Sequence, residues 1–369
     1  MVQSFQEDAL ELAMEKVKRG EISRRALFGA MAAMGMLPVA GRQASAQAAK
    51  EMVMVNWGGV ANQGFGDFYA GPFMKANPEW KVAQDSTGPS AGRIRSMVES
   101  GKTTWDLCDS SAASSILLSK LGLLNKMDYS VINKADSIDP SFTLEYGAAP
   151  YSFTSVLVYD SAKYPTPPTS WADFWDLKKF PGTRLMRKDA TVMLDIAQMA
   201  LGKDPKNLYP LDLKACLNKI KEIRGSAVYW NNGAESEQFM RTGEASMGCI
   251  WHTRAKVLQD ESKGRLKFIW NQGLLQAGIM VSPKGNPGGP MVQKLMASMM
   301  NNAEAQVSLL NLMGNGPTNP KAAAMVPDNL KPFNPTDPAN VGLQVPLNGV
   351  YWGENYQNNN AEFMDVITG

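Results

Sequence analysis

Residues 243–260, GEASMGCIWHTRAKVLQD, hold the chain's only histidine, His252, between Trp251 and Arg254. A lone histidine beside an arginine raises three chemistries: a general base, a metal ligand, or one wall of a ligand pocket. Base chemistry needs a nucleophile, and Gly88-Pro89-Ser90-Ala91-Gly92 has the G-x-S-x-G form, with Ser90 preceding His252 in chain order as in an α/β-hydrolase. That elbow needs its serine directly after a strand, however, and here Ser86-Thr87-Gly88-Pro89 intervene. Metal chemistry needs further ligands, and beside His252 the sequence offers only Cys249, at no metal-site spacing, with no second histidine or paired acid. We therefore expect no catalytic residue, no metal and no cofactor, and place His252 at the cleft or its rim.

The elements around these residues follow from periodicity. Apolar β-type runs at 51–59, 80–85, 105–111, 150–160, 183–189, 226–233, 244–251, 266–273 and 274–285 read as strands. Helical spacing with Ser, Thr or Asn caps and Gly stops fills 63–78, 86–101, 112–124, 190–202, 211–225, 234–243, 252–262 and 288–316. Ser90 is the expected cap of the helix ending at Gly101, and Thr253 that of the helix after Trp251. This alternation predicts an α/β fold in two successive units. Open parallel sheets bind ligands at the C-terminal ends of their strands. Five such ends carry aromatic or small polar residues: Trp57-Gly58-Gly59, Ser86-Thr87-Gly88, Asp109-Ser110-Ser111, Tyr229-Trp230-Asn231-Asn232 and Trp251-His252.

The 369 residues suffice for two cores, with 44% hydrophobic and 20% charged residues. A formal net charge of +2 gives no field for nucleic acid. Cys108, Cys216 and Cys249 form neither a CxxC nor a metal spacing and are expected as buried thiols. Ser23-Arg24-Arg25 precede a mildly apolar run of Ala26–Val39, too short to span a bilayer, which ends in A-x-A sites at 44–48. Residues 1–48 thus resemble a twin-arginine signal peptide, although Gly29 stands where a lysine is frequent. Its partner is the twin-arginine export machinery, and its destination the periplasm.

Most of the mature chain resembles the periplasmic solute-binding proteins of ABC importers, in particular the spermidine/putrescine-binding branch. The resemblance is carried by VNWGG (55–59), TTWDLCDSSAASSILLSKLGLL (103–124), TSWADFWD (169–176), GEASMGCIWHTRA (243–255) and LLQAGIMVSPKGNPG (274–288). It implies a two-lobed, type II Venus-flytrap fold: lobe one from 49–153 plus 282–317, lobe two from 154–281, and a segment 318–369 packed across both. The hinge would lie near Ser152–Val156 and Gly278–Pro283. A small-molecule solute held between the lobes would be delivered to an inner-membrane ABC permease. A secreted hydrolase using Ser90 and His252, and a sensory receptor without transport, are the alternatives.

The expected ligand residues are Trp57, Trp230 and Trp251 as aromatic walls, Ser86, Ser110, Asn231 and Asn232 as hydrogen-bonding groups, and Asp160 and Glu235 as acids for an amine. Core packing, turn chemistry and plain surface exposure are the respective alternatives. The acid that the polyamine branch carries on its return strand is absent, the stretch reading Gln276-Ala277-Gly278, and Ser111-Ala112-Ala113 replace its tyrosines. Arg254, three residues past Trp251, suits a carboxylate. The expected solute is accordingly polyamine-like or amino-acid-like and carries a carboxylate, as 4-aminobutyrate does.

Overall fold

A computed structural model describes residues 50–369; the expected signal at 1–48 lies outside the described residues. The strands are β1 (Lys50–Val55), β2 (Trp80–Asp85), β3 (Leu107–Ser110), β4 (Thr143–Leu144), β5 (Gly147–Asp160), β6 (Arg184–Arg187), β7 (Ala227–Trp230), β8 (Met247–Trp251), β9 (Leu266–Val281), β10 (Gly316–Pro317) and β11 (Val345–Pro346). The main path through the sheet is β2-β1-β3-β9-β5-β8-β6-β7. Each half holds three mutually parallel strands, and the antiparallel pair β5–β9 joins the halves.

Those two strands are long because they serve both halves. β9 pairs with β3 at Ile279–Val281, while β5 pairs with β8 at Ser155–Tyr159. Between these regions Tyr151–Ser155 of β5 face Leu274–Gly278 of β9, with a register shift on either side. The Tyr151 ring lies flat on Gly278, where a Cβ would sit 2.1 Å from it, so only glycine fits.

The expected pair of strands at 266–273 and 274–285 is a single 16-residue strand. Asn271-Gln272-Gly273 reads as a turn but forms an irregularity inside the strand, with Gln272 at φ 60°. Trp171 of the TSWADFW segment secures it: its Nε1–H donates to Gln272 O at 2.9 Å, and its backbone N–H to Gln272 Oε1 at 3.0 Å. That segment is thus an anchor in the core, with Trp171 and Phe174 fully buried.

The helices used below are α1 (Ala91–Glu99), α2 (Ala112–Lys120), α3 (Ala190–Ala200), α4 (Leu213–Ile223), α5 (Gly233–Thr242), α6 (His252–Glu261), α7 (Met291–Asn301), α8 (Ala303–Met313) and α9 (Gly349–Thr368). Ser90 caps α1 as expected, accepting from Arg93 N–H. Thr253 caps nothing, because α6 begins one residue earlier, directly off β8. Separate apolar cores form under the two halves: Met52, Phe65, Leu295 and Met299 on one side, Phe174, Met193, Ile196 and Ile220 on the other. All three thiols are buried and free.

Helix α9 touches both sides. Gly349 and Gly353 let it approach Ala112 and Ile116 of α2, with an exposed Lys120–Glu354 pair at 3.2 Å. Toward the other half its Trp352 Nε1–H donates to Asp195, Tyr356 O–H to Asp189, and Asn360 Oδ1 accepts from Ala190 N–H.

Candidate ligand-binding cleft

The first wall grows from the end of β1. Asn56, fully buried, folds its Oδ1 back onto Gly58 N–H at 2.8 Å and donates through Nδ2 to Gln84 Oε1 at 3.1 Å. That Asx turn projects Trp57 toward the other half. The second wall is Trp251 at the end of β8, whose ring centroid lies 6.4 Å from that of Trp57 and 6.2 Å from Phe153 of the crossover strand. Between these rings opens a cavity of about 130 Å³. Ser90 and Ser111, the caps of α1 and α2, line it beside Ser110. Two helix N-termini therefore point at the same space, a favourable setting for an anion.

The charged groups of the cavity come from the end of β6. The Arg187 guanidinium lies 5.4 Å from the Trp251 ring centre and 5.5 Å from that of Trp230. Among the described residues it has no hydrogen-bond acceptor and no carboxylate partner, and it faces the cavity. Two residues on, Asp189 also lines the cavity and is fixed on both oxygens: Oδ1 accepts Thr191 N–H at 2.8 Å, Oδ2 accepts Tyr356 O–H at 3.0 Å. A carboxylate has about four acceptor positions, so capacity remains for a ligand donor.

The turn behind this acid is strained. Val192 sits at φ 74°, a region costly for a β-branched residue. Its N–H donates to Asp195 Oδ2 at 2.9 Å, and Asp195 also accepts from Tyr209 O–H and Trp352 Nε1–H. Burial pushes the Asp195 carboxyl up to about 6 despite these donors.

Of the expected ligand residues, Trp57, Ser110 and Trp251 meet at this cavity. Arg254 lines a neighbouring cavity of about 50 Å³, but its guanidinium is engaged. Nη1 pairs with Glu237 at 3.2 Å and Nη2 donates to Gly58 O at 3.1 Å, across to the other half. It threads past Gly233, where a Cβ would stand 2.5 Å from Nε.

The remaining expected residues lie elsewhere. Trp230 is 1% exposed and packs edge-on behind Trp251, its Nε1–H held by Cys249 O at 3.0 Å. Asn231, Asn232 and Glu235 satisfy one another at the start of α5, where Asn232 caps the helix and Glu235 accepts from Asn231 N–H at 2.7 Å. Asp160 ends β5 at the outer end of the sheet, paired with Arg265 at 2.5 Å. Ser86 is exposed at the end of β2 and lines neither cavity. Turn, cap and surface chemistry account for these five residues, and core packing for Trp230.

His252 is not at the rim. It is fully buried, Nδ1 accepting Thr154 N–H at 2.9 Å and Nε2–H donating to Gly314 O at 2.7 Å. Burial holds its pKa down at about 4, so the ring is neutral. With both nitrogens bound to backbone it ties β5 to the end of α8 and has none left for Ser90.

The residues missed are Arg187, Asp189, Phe153 and Tyr356. Arg187-Lys188-Asp189 is itself a strand end, and the rule that selected Trp57 and Trp251 also points to it. Tyr356 arrives from α9, far along the chain, and carries no local signal.

Two hinge-crossed α/β halves closing on an aromatic-walled cavity define the two-lobed binding-protein fold of solute receptors. The chain belongs to the bacterial extracellular solute-binding protein family, whose model matches residues 69–339. It is similar to the gamma-aminobutyric acid-binding protein of Pseudomonas aeruginosa, 25% identical over 331 residues, 88% of this chain and 92% of that protein. A solved GABA receptor matches with a TM-score of 0.78 and 27% identity, over 86% of this chain and 98% of that one. The spermidine/putrescine-binding periplasmic protein 1 of Haemophilus influenzae is 24% identical over 153 residues, 41% of each chain. The chain is a solute-binding protein of the ABC-importer type, and its family comprises binding proteins rather than enzymes.

Proposed function

We propose that this protein captures a small zwitterion with a carboxylate at one end and an amine at the other, of the size of 4-aminobutyrate, and passes it to an ABC permease. The observation that carries the reading is Arg187, a stacked guanidinium facing the cavity without a partner among the described residues, with Asp189 two residues beyond. Arg187 ends β6 and Asp189 caps α3, and both line the same cavity, so a cationic and an anionic group are offered to the two ends of one small solute. Arg187 takes the carboxylate, aided by the two helix N-termini. Asp189 and the faces of Trp57 and Trp251 take the ammonium. The known ligand of the Pseudomonas relative supports the same class.

In this reading the lobes rotate about Tyr151–Ser155 and Leu274–Gly278, the stretch where β5 and β9 pair with each other between the two halves, and the solute stabilises the closed form. Lobe one comprises β1–β3 with α1, α2, α7 and α8, and lobe two β6–β8 with α3–α6. The Ser-Arg-Arg leader routes the chain through the twin-arginine pathway to the periplasm. The experiment is a thermal-shift series on the mature chain with 4-aminobutyrate, putrescine and spermidine. A ligand that binds only the folded form raises Tm with concentration. 4-Aminobutyrate is expected to raise it at lower concentration than either amine, and the reverse order refutes the assignment.

A further inference from the structure

We propose that Arg254 is a closure latch: it belongs to lobe two, takes hold of the Gly58 carbonyl of lobe one when the cleft shuts, and sets how long a solute stays bound without touching it. The inference rests on the reading above, in which the lobes close about β5 and β9.

The bond itself crosses the cleft. Arg254 stands in the first turn of α6, and its Nη2–H donates to Gly58 O, just past the end of β1, at 3.1 Å. The residue is 2% exposed. Bare backbone makes room for it on both sides: a Cβ at Gly233 of α5 would stand 2.5 Å from Nε, and one at Gly59 of lobe one 3.0 Å from Nη1. The receiving turn is fixed by its own contacts. Gly58 and Gly59 sit at φ 74° and 62°, and Gly58 N–H is held by buried Asn56 Oδ1 at 2.8 Å.

The charge of the latch is answered inside lobe two. Nη1 pairs with Glu237 of α5 at 3.2 Å, so parting the lobes leaves no cation without its counter-ion, and closing them calls for no anionic solute. Lobe one contributes a carbonyl, a neutral acceptor. Water takes the place of each partner when the lobes separate, so the gain on closing is that of one net hydrogen bond. Gly58 directly follows Trp57, and Arg254 lies three residues past Trp251, the two rings being 6.4 Å apart. Engaging the latch therefore brings together the same two rings that enclose the solute. It acts alike on every occupant, whereas Arg187 acts on carboxylates.

The test follows 4-aminobutyrate and putrescine by stopped-flow tryptophan fluorescence on the wild type and on Arg254→Met. Paired spin labels on exposed positions of α1 and α5 report the separation of the lobes. We expect Arg254→Met to raise Kd about fivefold for both solutes, the effect of one net hydrogen bond. The change should lie in faster dissociation at an unchanged association rate, and the ratio of closed to open molecules should fall by the same factor. A loss confined to 4-aminobutyrate identifies a carboxylate clamp and overturns the latch, as does an unchanged dissociation rate. If the wild-type label separation is the same at every solute concentration, closure itself is refuted and the latch with it. If it moves with solute but the closed fraction of the variant equals that of the wild type, the latch alone falls. If neither solute binds, the reading of the solute cavity fails by itself, and the closed fractions of the two unliganded proteins decide the latch. Should Arg254→Met not fold, Arg254→Gln, whose amide stops short of Gly58 O, replaces it with the same expectations.

Discussion

Replacing Arg187 by methionine removes the guanidinium while keeping an unbranched stem against Trp230 and Trp251. The magnitude follows from what surrounds the group. Among the described residues it has no ion pair to lose, so the unliganded fold should keep its Tm within a few degrees. It is stacked at 5.4 and 5.5 Å over two rings, which orients the fork before the solute arrives. Little side-chain entropy then remains to be lost on binding. Hydrogen bonds to a charged group contribute about 1.5–3 kcal/mol each. Part of a bidentate pair is offset by desolvation, so we expect about 3 kcal/mol, or roughly a 100-fold rise in Kd for 4-aminobutyrate. Isothermal titration calorimetry on both proteins measures it, with putrescine as the control ligand. Putrescine carries no carboxylate and should bind the variant at least as well as the wild type. An unchanged Kd for 4-aminobutyrate, or an equal loss for putrescine, refutes the clamp.

Trp57→Ala should weaken any solute by about 2–3 kcal/mol in the same titration, as loss of a buried aromatic anchor does. Arg254→Met removes one of the two arginines paired with half-buried Glu237, Arg241 remaining at 3.3 Å, and cuts the tie to Gly58 O; we expect a loss of about 1–2 kcal/mol in denaturant unfolding, with 4-aminobutyrate affinity changed by less than tenfold. His252→Leu orphans Thr154 N–H and Gly314 O, at a cost of about 2–4 kcal/mol, while leaving ligand affinity nearly unchanged. The same histidine makes stability depend on pH. Its folded pKa is about 4 against 6.5, so the unfolded chain binds more protons between those values. Its contribution is complete above pH 6.5 and falls away toward pH 4, by on the order of 3 kcal/mol. Asp195, raised to about 6, works in the opposite sense, its contribution being lost as pH rises through that value. The wild-type minus His252→Leu difference therefore isolates the histidine, and a flat difference over pH 4–6.5 contradicts the neutral buried ring.

The walls of the cleft were legible because strand ends and aromatics are local features: Trp57 and Trp251 follow apolar runs, and Ser90 and its helix read directly from the chain. The boundaries of β2 and α3–α5 were legible for the same reason. The charges of the site were not. Arg254 sits beside a cleft tryptophan, but whether its guanidinium is free depends on Glu237 and Gly58, which only the fold brings to it. Arg187 has no such neighbour among the described residues, which no spacing encodes. The single strand of 266–281 was hidden because its irregularity at Gln272 uses turn residues and is held by Trp171, about a hundred positions away.

Helix α9 has one further consequence. Its grip on Asp195, Asp189 and the start of α3 is buried and hydrogen-bonded, whereas toward α2 it offers small glycine contacts and one solvent-washed ion pair. If the molecule gapes, the helix should ride with the β6–β8 side and slide over α2. The acid at Asp189, its tyrosine brace and the strained turn beneath them would then move as one preassembled jaw, biting against the indole and the two helix starts of the Trp57 side.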